Sequence, residues 1–267
     1  MGEAVDMKIN SWFKVEKVHP KIYALAEFNH WEKAVSYLLI GKTKAALFDT
    51  GMGYGDIKKE VEKITDLPVE VFLTHSHWDH IGGMNQFEKI HILDNDFELK
   101  SLKKGFSSKE VNELTNGLLF KDPFNIREYE VKGREEVLKI NDNDNVLIGD
   151  LKLKVISTPG HTPGSACYFS EKLNVLFSGD LIYSGPLYAQ LFESNLGDYI
   201  NSIFKLKKIV NDKTIVFPGH NQMKCSPELL DEVFKGFEKL NNGKVISEIG
   251  QQNFEYKFRS FSIITNV

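Results

Sequence analysis

The stretch Thr74-His75-Ser76-His77-Trp78-Asp79-His80 constrains this chain more than any other. It places three imidazoles and a carboxylate directly after the apolar run Val71-Phe72-Leu73. That run reads as the end of a buried strand, and Ile81-Gly82-Gly83 leads away from it, so the polar residues sit on a loop at a strand's C-terminal end. Rigid α/β scaffolds build their sites on such loops. A single His beside a strand is more often a packing residue than a ligand. Three His and an Asp at this spacing are different, because unused polar groups at the edge of a core cost about 1–3 kcal/mol each. The stretch therefore points to metal-ligand chemistry.

The same arrangement of a polar residue after an apolar strand recurs downstream. Leu151 to Ile156 runs into Ser157-Thr158-Pro159-Gly160-His161, Val175 to Phe177 ends in Ser178-Gly179-Asp180, and Thr214 to Phe217 ends in Pro218-Gly219-His220. Asp49, after Ala45 to Phe48, suits either a partner that orients a liganding His or an ordinary turn former. The strand ends collect His75, His77, His80, His161, His220, Asp79 and Asp180, enough for two divalent metal ions. Imidazole and carboxylate without thiolate suit zinc best, with iron or manganese also accommodated. His19, His30 and His91 lack this context and read as surface or packing residues.

Around these loops the chain alternates strands and helices. Ile57, Val61 and Ile64 mark an amphipathic helix, Asp94 suits an N-cap for a helix over Asp96 to Lys104, and Ser107 to Glu110 resembles a capping box. Tyr199, Ile203, Leu206 and Val210 mark another helix, and Ser226-Pro227-Glu228 opens a last one that closes at Gly243. Asn141 to Asn145 reads as a hairpin turn, and Glu255 to Thr265 as strand. This order favours an α/β architecture. Within residues 105–134, Leu118, Leu119, Phe120 and Phe124 would either wall a substrate lid or pack the preceding helix onto the core. No short-period repeat or low-complexity linker interrupts the pattern, so a single domain over residues 1–267 is expected.

Bulk properties disfavour several classes. A formal charge of −4 gives no global attraction to a phosphate backbone, which disfavours nucleic acid as partner and leaves a small-molecule substrate. Cys167 and Cys225, the two cysteines, suggest neither a disulfide framework nor a thiolate zinc site. Met1 to Asn10 does not resemble a signal peptide, and no run approaches the ~20 apolar residues of a membrane span. The expectation is a cytoplasmic protein without a membrane partner. Oligomeric state is left open, a homodimer included.

Taken in order, the H-x-H-x-D-H motif at residues 75–80, His161, Asp180 and His220 resemble the metallo-β-lactamase superfamily. The resemblance covers most of the chain. It implies a four-layer αβ/βα sandwich of two mixed β-sheets, with pseudo-symmetric halves of about 1–150 and 151–267. It also implies a dinuclear site in which His75, His77 and His161 hold one metal, Asp79, His80 and His220 the other, and Asp180 bridges them. Two dications with neutral imidazoles and two carboxylates leave a local charge of about +2, so a bridging water would ionise near neutral pH. The resulting hydroxide would be the nucleophile, with Asp79 orienting it or shuttling its proton.

Departures within the superfamily narrow the activity. Many β-lactamases of this fold carry Cys at the position of Asp180. The di-iron oxygen reductases carry Glu at that of His77, and the RNA-processing branch adds a basic substrate-gripping insertion. The glutathione-thioester branch would need a basic C-terminal helical segment, and Ser226 to Asn242 is mixed in charge. Tyr183, three residues after Asp180, matches the lactone-hydrolysing branch, where a phenol would donate to a developing oxyanion; the alternative is a Tyr packed beneath the site. Gly82-Gly83, Gln86-Phe87, Pro159-Gly160-His161, Gly164-Ser165, Phe177-Ser178-Gly179-Asp180, Asp198-Tyr199 and Pro218-Gly219-His220 are similar to the acyl-CoA thioesterases of the superfamily. The leading expectation is a dinuclear hydrolase of a thioester, lactone or related ester. The alternatives are a mononuclear-iron oxidoreductase of the persulfide dioxygenase kind and a metal-stabilised binding module without catalysis.

Overall fold

Successive side chains of a strand point to opposite faces, and several strands here are apolar on both. In Ala45–Phe48, Ala45 and Leu47 join one buried cluster while Ala46 and Phe48 join another. Val71 and Phe72 divide the same way. In the second half Val175 and Phe177 share the cluster of Phe48, whereas Leu176 faces a third. Three apolar layers require two sheets packed face to face with helices outside them, and the computed structural model has that arrangement. It describes residues 12–115, 129–243, 248–249 and 254–266.

Among the described residues, a seven-stranded sheet runs in the order Lys14–His19, Ile22–Ala26, Val35–Ile40, Ala45–Phe48, Val69–Phe72, Ile90–Leu93, Leu138–Ile140. A five-stranded sheet runs Asn145–Ile148, Leu151–Ser157, Ala166–Ser170, Val175–Gly179, Ile215–Pro218. The layer between them is aromatic: Phe48 and Phe177 stack with centroids 3.8 Å apart, and Tyr37, Phe72, Tyr168 and Phe217 surround them. Two buried phenols tie the halves across it. The Tyr37 hydroxyl donates to Pro218 O at 2.8 Å and that of Tyr168 to Leu73 O at 2.7 Å, each on a segment leading to a histidine-bearing loop.

Helices Ile57–Glu62, Asp96–Lys104 and Ser108–Leu114 contribute Ile57, Val61, Leu102 and Val111 to the outer face of the first sheet. Leu196–Lys207 and Pro227–Asn241 cover the second, with Tyr199 stacked on Phe237 at 5.2 Å. The capping box at Ser107 and the Ser226 cap form as expected. The cap of Asp96–Lys104 is Asn95 rather than Asp94, because its side chain is the one that reaches Phe97 N.

Two expectations change. Asn141 to Asn145 is not a hairpin turn: the strand before it, Leu138–Ile140, belongs to the first sheet and the strand after it, Asn145–Ile148, to the second. The turn carries the chain between sheets, with Asn143 left-handed at φ 69°. The closing segment forms two strands, Phe254–Lys257 and Phe261–Thr265, and the latter pairs in parallel with Gly185–Ala189. That partner strand escapes a periodicity reading because Gly185 and Pro186 open it. Leu118, Leu119, Phe120 and Phe124 lie outside the described residues. Among the described residues no helix is long and apolar enough to cross a membrane.

The strands Ala45–Phe48, Val69–Phe72 and Ile90–Leu93 are parallel, and so are Val175–Gly179 and Ile215–Pro218. Their C-terminal ends therefore meet at one edge, where the backbone knits the halves together through Ala166 N to Thr74 O at 2.8 Å and Val35 N to Gly219 O at 2.7 Å.

Candidate metal centre

Seven side chains at this edge come together as anticipated from the strand ends. Single ligand atoms of His75, His77 and His161 lie within 4.8 Å of one another, as do those of His75, His80 and Asp180 and those of Asp79, His80 and His220. Asp180 stands between the groups. Its Oδ2 is 3.1 Å from His220 Nε2 and 3.4 Å from His161 Nε2, and its Oδ1 is 3.1 Å from His80 Nε2. Asp79 Oδ2 is 3.4 Å from His220 Nε2.

The hydrogen bonds on the outer side of each ring decide what the inner side can do. A backbone carbonyl only accepts, so His161 Nδ1, 3.0 Å from Tyr188 O, and His220 Nδ1, 2.7 Å from Glu32 O, both carry the proton. His80 Nδ1 donates to Asp49 Oδ2 at 2.9 Å and His77 Nε2 to Glu193 Oε1 at 2.8 Å. Thr74 Oγ1 donates to Asp49 Oδ2 at 2.8 Å, so it accepts from His75 Nδ1 at 3.0 Å. All five neutral rings are thereby left with a lone pair on the inward nitrogen.

Those lone pairs face one another at short range. His77 Nδ1 lies 3.0 Å from His161 Nε2, and His80 Nε2 lies 3.1 Å from His220 Nε2. His75 Nε2 is buried with no hydrogen-bond partner, and Asp180 Oδ1 makes no hydrogen bond despite its approach to His80. Facing lone pairs repel unless a proton or a metal cation lies between them. The donor set of five imidazoles and two carboxylates thus fits divalent metal ions. The electrostatics agree. Burial, then the neighbouring imidazoles, hold His75 well below the usual range, and burial lowers His161 to about 4. At His80 and His220 burial pulls the same way but the Asp180 and Asp79 carboxylates prevail, raising His220 to about 9 and His80 well above its ordinary value. The cluster wants positive charge and takes protons where metal does not supply it.

Asp49 fills both readings offered for it. At φ 58° it makes the turn after its strand, and its carboxylate also accepts from Thr74 N at 2.7 Å. Of the two readings offered for Tyr183, the structure matches the Tyr packed beneath the site. Its ring packs 5.4 Å from that of His220, and its hydroxyl donates to Pro186 O, so its one proton is spent on the backbone and not offered to an oxyanion. His30 packs against Trp31 and Trp78, and His91 stacks on Phe72 while meeting Glu70 at 3.1 Å, as packing residues should.

Three acids at the site stand in no motif. Glu193 pins His77, and Glu32 gives its carbonyl to His220 while burial, with the charge of Asp79, raises its own carboxyl to about 8. The third, Glu98, is completely buried beneath the loops. No sequence motif marks them, and only the tertiary approach of distant loops reveals them.

This fold, with histidines and aspartates gathered at one edge of two packed sheets, defines a class. The family described as the Metallo-beta-lactamase superfamily matches residues 31–220, and the chain belongs to it. It is 26% identical over 233 residues to the human acyl-coenzyme A thioesterase MBLAC2, covering 80% of this chain and 83% of that one. In structure it is similar to a metallo-beta-lactamase from Pontibacter korlensis, with TM-score 0.62, 18% identity, and 85% of this chain and 99% of that one covered. ETHE1 from Myxococcus xanthus superimposes with TM-score 0.54 at 18% identity, over 88% and 92% of the two chains.

Proposed function

We propose that this chain is a metal-dependent hydrolase that cleaves thioesters of the acyl-CoA kind. The observation that carries the reading is the convergence of inward nitrogens from five imidazoles, each pinned from outside, on the Asp79 and Asp180 carboxylates. His75, His77 and His161 would hold one divalent ion, His80, His220 and Asp79 a second, and Asp180 would contact both, with zinc the ion best suited to these donors. When bound, such ions supply Lewis acidity and acidify water at the site.

The chain's own residues do the rest. Asp79 would take a proton from the attacking water and pass it to the departing sulfur. The acyl carbon gains the water oxygen, the carbon–sulfur bond breaks, and the thiol leaves with that proton. Glu193, Asp49, Tyr188 O and Glu32 O keep the imidazoles in the tautomer that presents a lone pair. The thioester preference draws support from the human thioesterase, which this chain matches along most of both lengths.

The test combines metal analysis of the protein as isolated with turnover of an acyl-CoA and lactone panel. About two divalent ions per chain and chelator-sensitive thiol release are expected. A dinuclear protein inert across the panel would overturn the reading. One iron per chain with oxygen consumption would instead make it an oxidoreductase of the same fold.

A further inference from the structure

Two loops from different halves of the chain must deliver three imidazoles to one point, and one buried side chain joins them. We propose that Glu98 is the positioning residue that sets the His75, His77 and His161 cluster, an inference that rests on the metal centre proposed above. Glu98 belongs to helix Asp96–Lys104 and has 0% exposure. Its Oε2 accepts from Ser76 Oγ at 2.5 Å, and Ser76 stands between His75 and His77. Its Oε1 accepts from Thr162 Oγ1 at 2.6 Å and from Gly164 N at 3.1 Å, on the loop that carries His161. Each carboxylate oxygen thus serves one ligand loop.

The rest of the helix works in the same direction. Ser101 Oγ donates to Ser76 O at 3.3 Å, and Asn95 Nδ2 to Pro163 O at 3.3 Å. The approach is close enough to demand glycine: a Cβ on Gly164 would lie 2.3 Å from Glu98 Cγ and 2.7 Å from Asn95 Cβ. A buried carboxylate is costly unless its lone pairs are met, and here every partner that meets them sits within three residues of His75, His77 or His161. In the other cluster His80 and His220 are oriented without Glu98, by the Glu32 carbonyl and by Asp49, which also reaches His75 through Thr74. Loss of Glu98 should therefore act on one metal-binding step and spare the other.

The experiment titrates zinc, and separately cobalt, into metal-free full-length wild type, Glu98→Ala, Glu98→Gln, Ser76→Ala and Thr162→Val against a competing chelator, with urea unfolding of each metal-free protein alongside. Glu98→Ala should weaken one of the two binding steps about 10–100-fold and leave the other unchanged, with the cobalt absorption bands of one site alone altered. Glu98→Gln, whose amide accepts on one oxygen, should lie between, and Ser76→Ala and Thr162→Val should each reproduce part of the loss. Should Glu98→Ala fail to fold, the two single-arm variants carry the same comparison. A variant that is less stable when metal-free yet binds both ions like wild type would reduce Glu98 to a packing role, and equal weakening of both steps would overturn its selectivity. Wild type that binds no metal would overturn the metal centre itself, an outcome distinct from either.

Discussion

Replacing Asp49 by Asn tests whether the outer hydrogen bonds control the inner nitrogens. The buried Asp49 carboxylate accepts from Thr74 N, Thr74 Oγ1 and His80 Nδ1 at 2.7, 2.8 and 2.9 Å. Asn keeps the left-handed backbone at φ 58°, which it tolerates, and its oxygen can still accept from Thr74 N. Its amide NH2 then stands where Oδ2 was. Thr74 Oγ1 can rotate to accept from it, but His80 Nδ1–H meets a donor. The ring escapes by moving its proton to Nε2, the nitrogen that would face the metal. One lost bond to a charged group costs roughly 2 kcal/mol, which a domain stable by about 5–15 kcal/mol survives. Metal affinity at the Asp79, His80 and His220 cluster should fall about 10–100-fold, or roughly 1.4–2.8 kcal/mol. Asp49→Ala is less informative, because three orphaned donors and a strained turn together cost on the order of 5 kcal/mol and threaten the fold. Urea melts of the metal-free protein and zinc titration separate the two quantities. If Asp49→Asn binds two zinc ions with wild-type affinity, the tautomer argument is wrong for this ring.

Glu193→Ala should weaken metal binding by roughly tenfold, at the low end of such effects because water can reach His77 Nε2, whereas Glu193→Gln should stay near wild type since its amide oxygen still accepts; zinc titration distinguishes them. Glu27 is buried with its carboxyl raised from 4.5 to about 7, burial outweighing the bonds from Trp12 and Met52 N. A raised carboxyl pKa means the folded state holds the proton longer than the unfolded chain, so stability relative to Glu27→Gln should fall by up to about 3 kcal/mol as pH rises through 4.5 to 7, read from urea melts at pH 4.5 and 8. Gly82→Ala places a Cβ 2.1 Å from the Met52 carbonyl at an ordinary helical backbone angle, so crowding alone should cost about 2–3 kcal/mol in the same melts.

Much of the site was legible before the fold was known, for a physical reason. Metal-ligand chemistry needs specific residue types, and residues 74–80, 161, 180 and 220 each follow a short run rich in apolar residues that forms a strand. Both-face burial of Val175–Gly179 likewise follows from its continuous apolar run, whereas Leu151–Ser157 keeps Lys152 exposed on one face. Tyr183 shows the limit. Its spacing from Asp180 matched a substrate-contacting phenol, but where a hydroxyl proton goes depends on which carbonyl lies near it, and that is Pro186 O.

The sequence by itself determined the alternation of strands and helices, the identity of the clustered His and Asp residues and their position at strand ends, because periodicity and residue chemistry are local properties. Only the tertiary structure decided which nitrogen of each ring faces inward, because that depends on Asp49, Glu193, Tyr188 O and Glu32 O arriving from elsewhere in the chain. It also decided that Asn141 to Asn145 joins two sheets and that a helical Glu98 spans two loops more than sixty residues apart. A carboxylate 22 residues from Ser76 and 64 from Thr162 leaves no periodic trace, and its meaning exists only once both hydroxyls point at it.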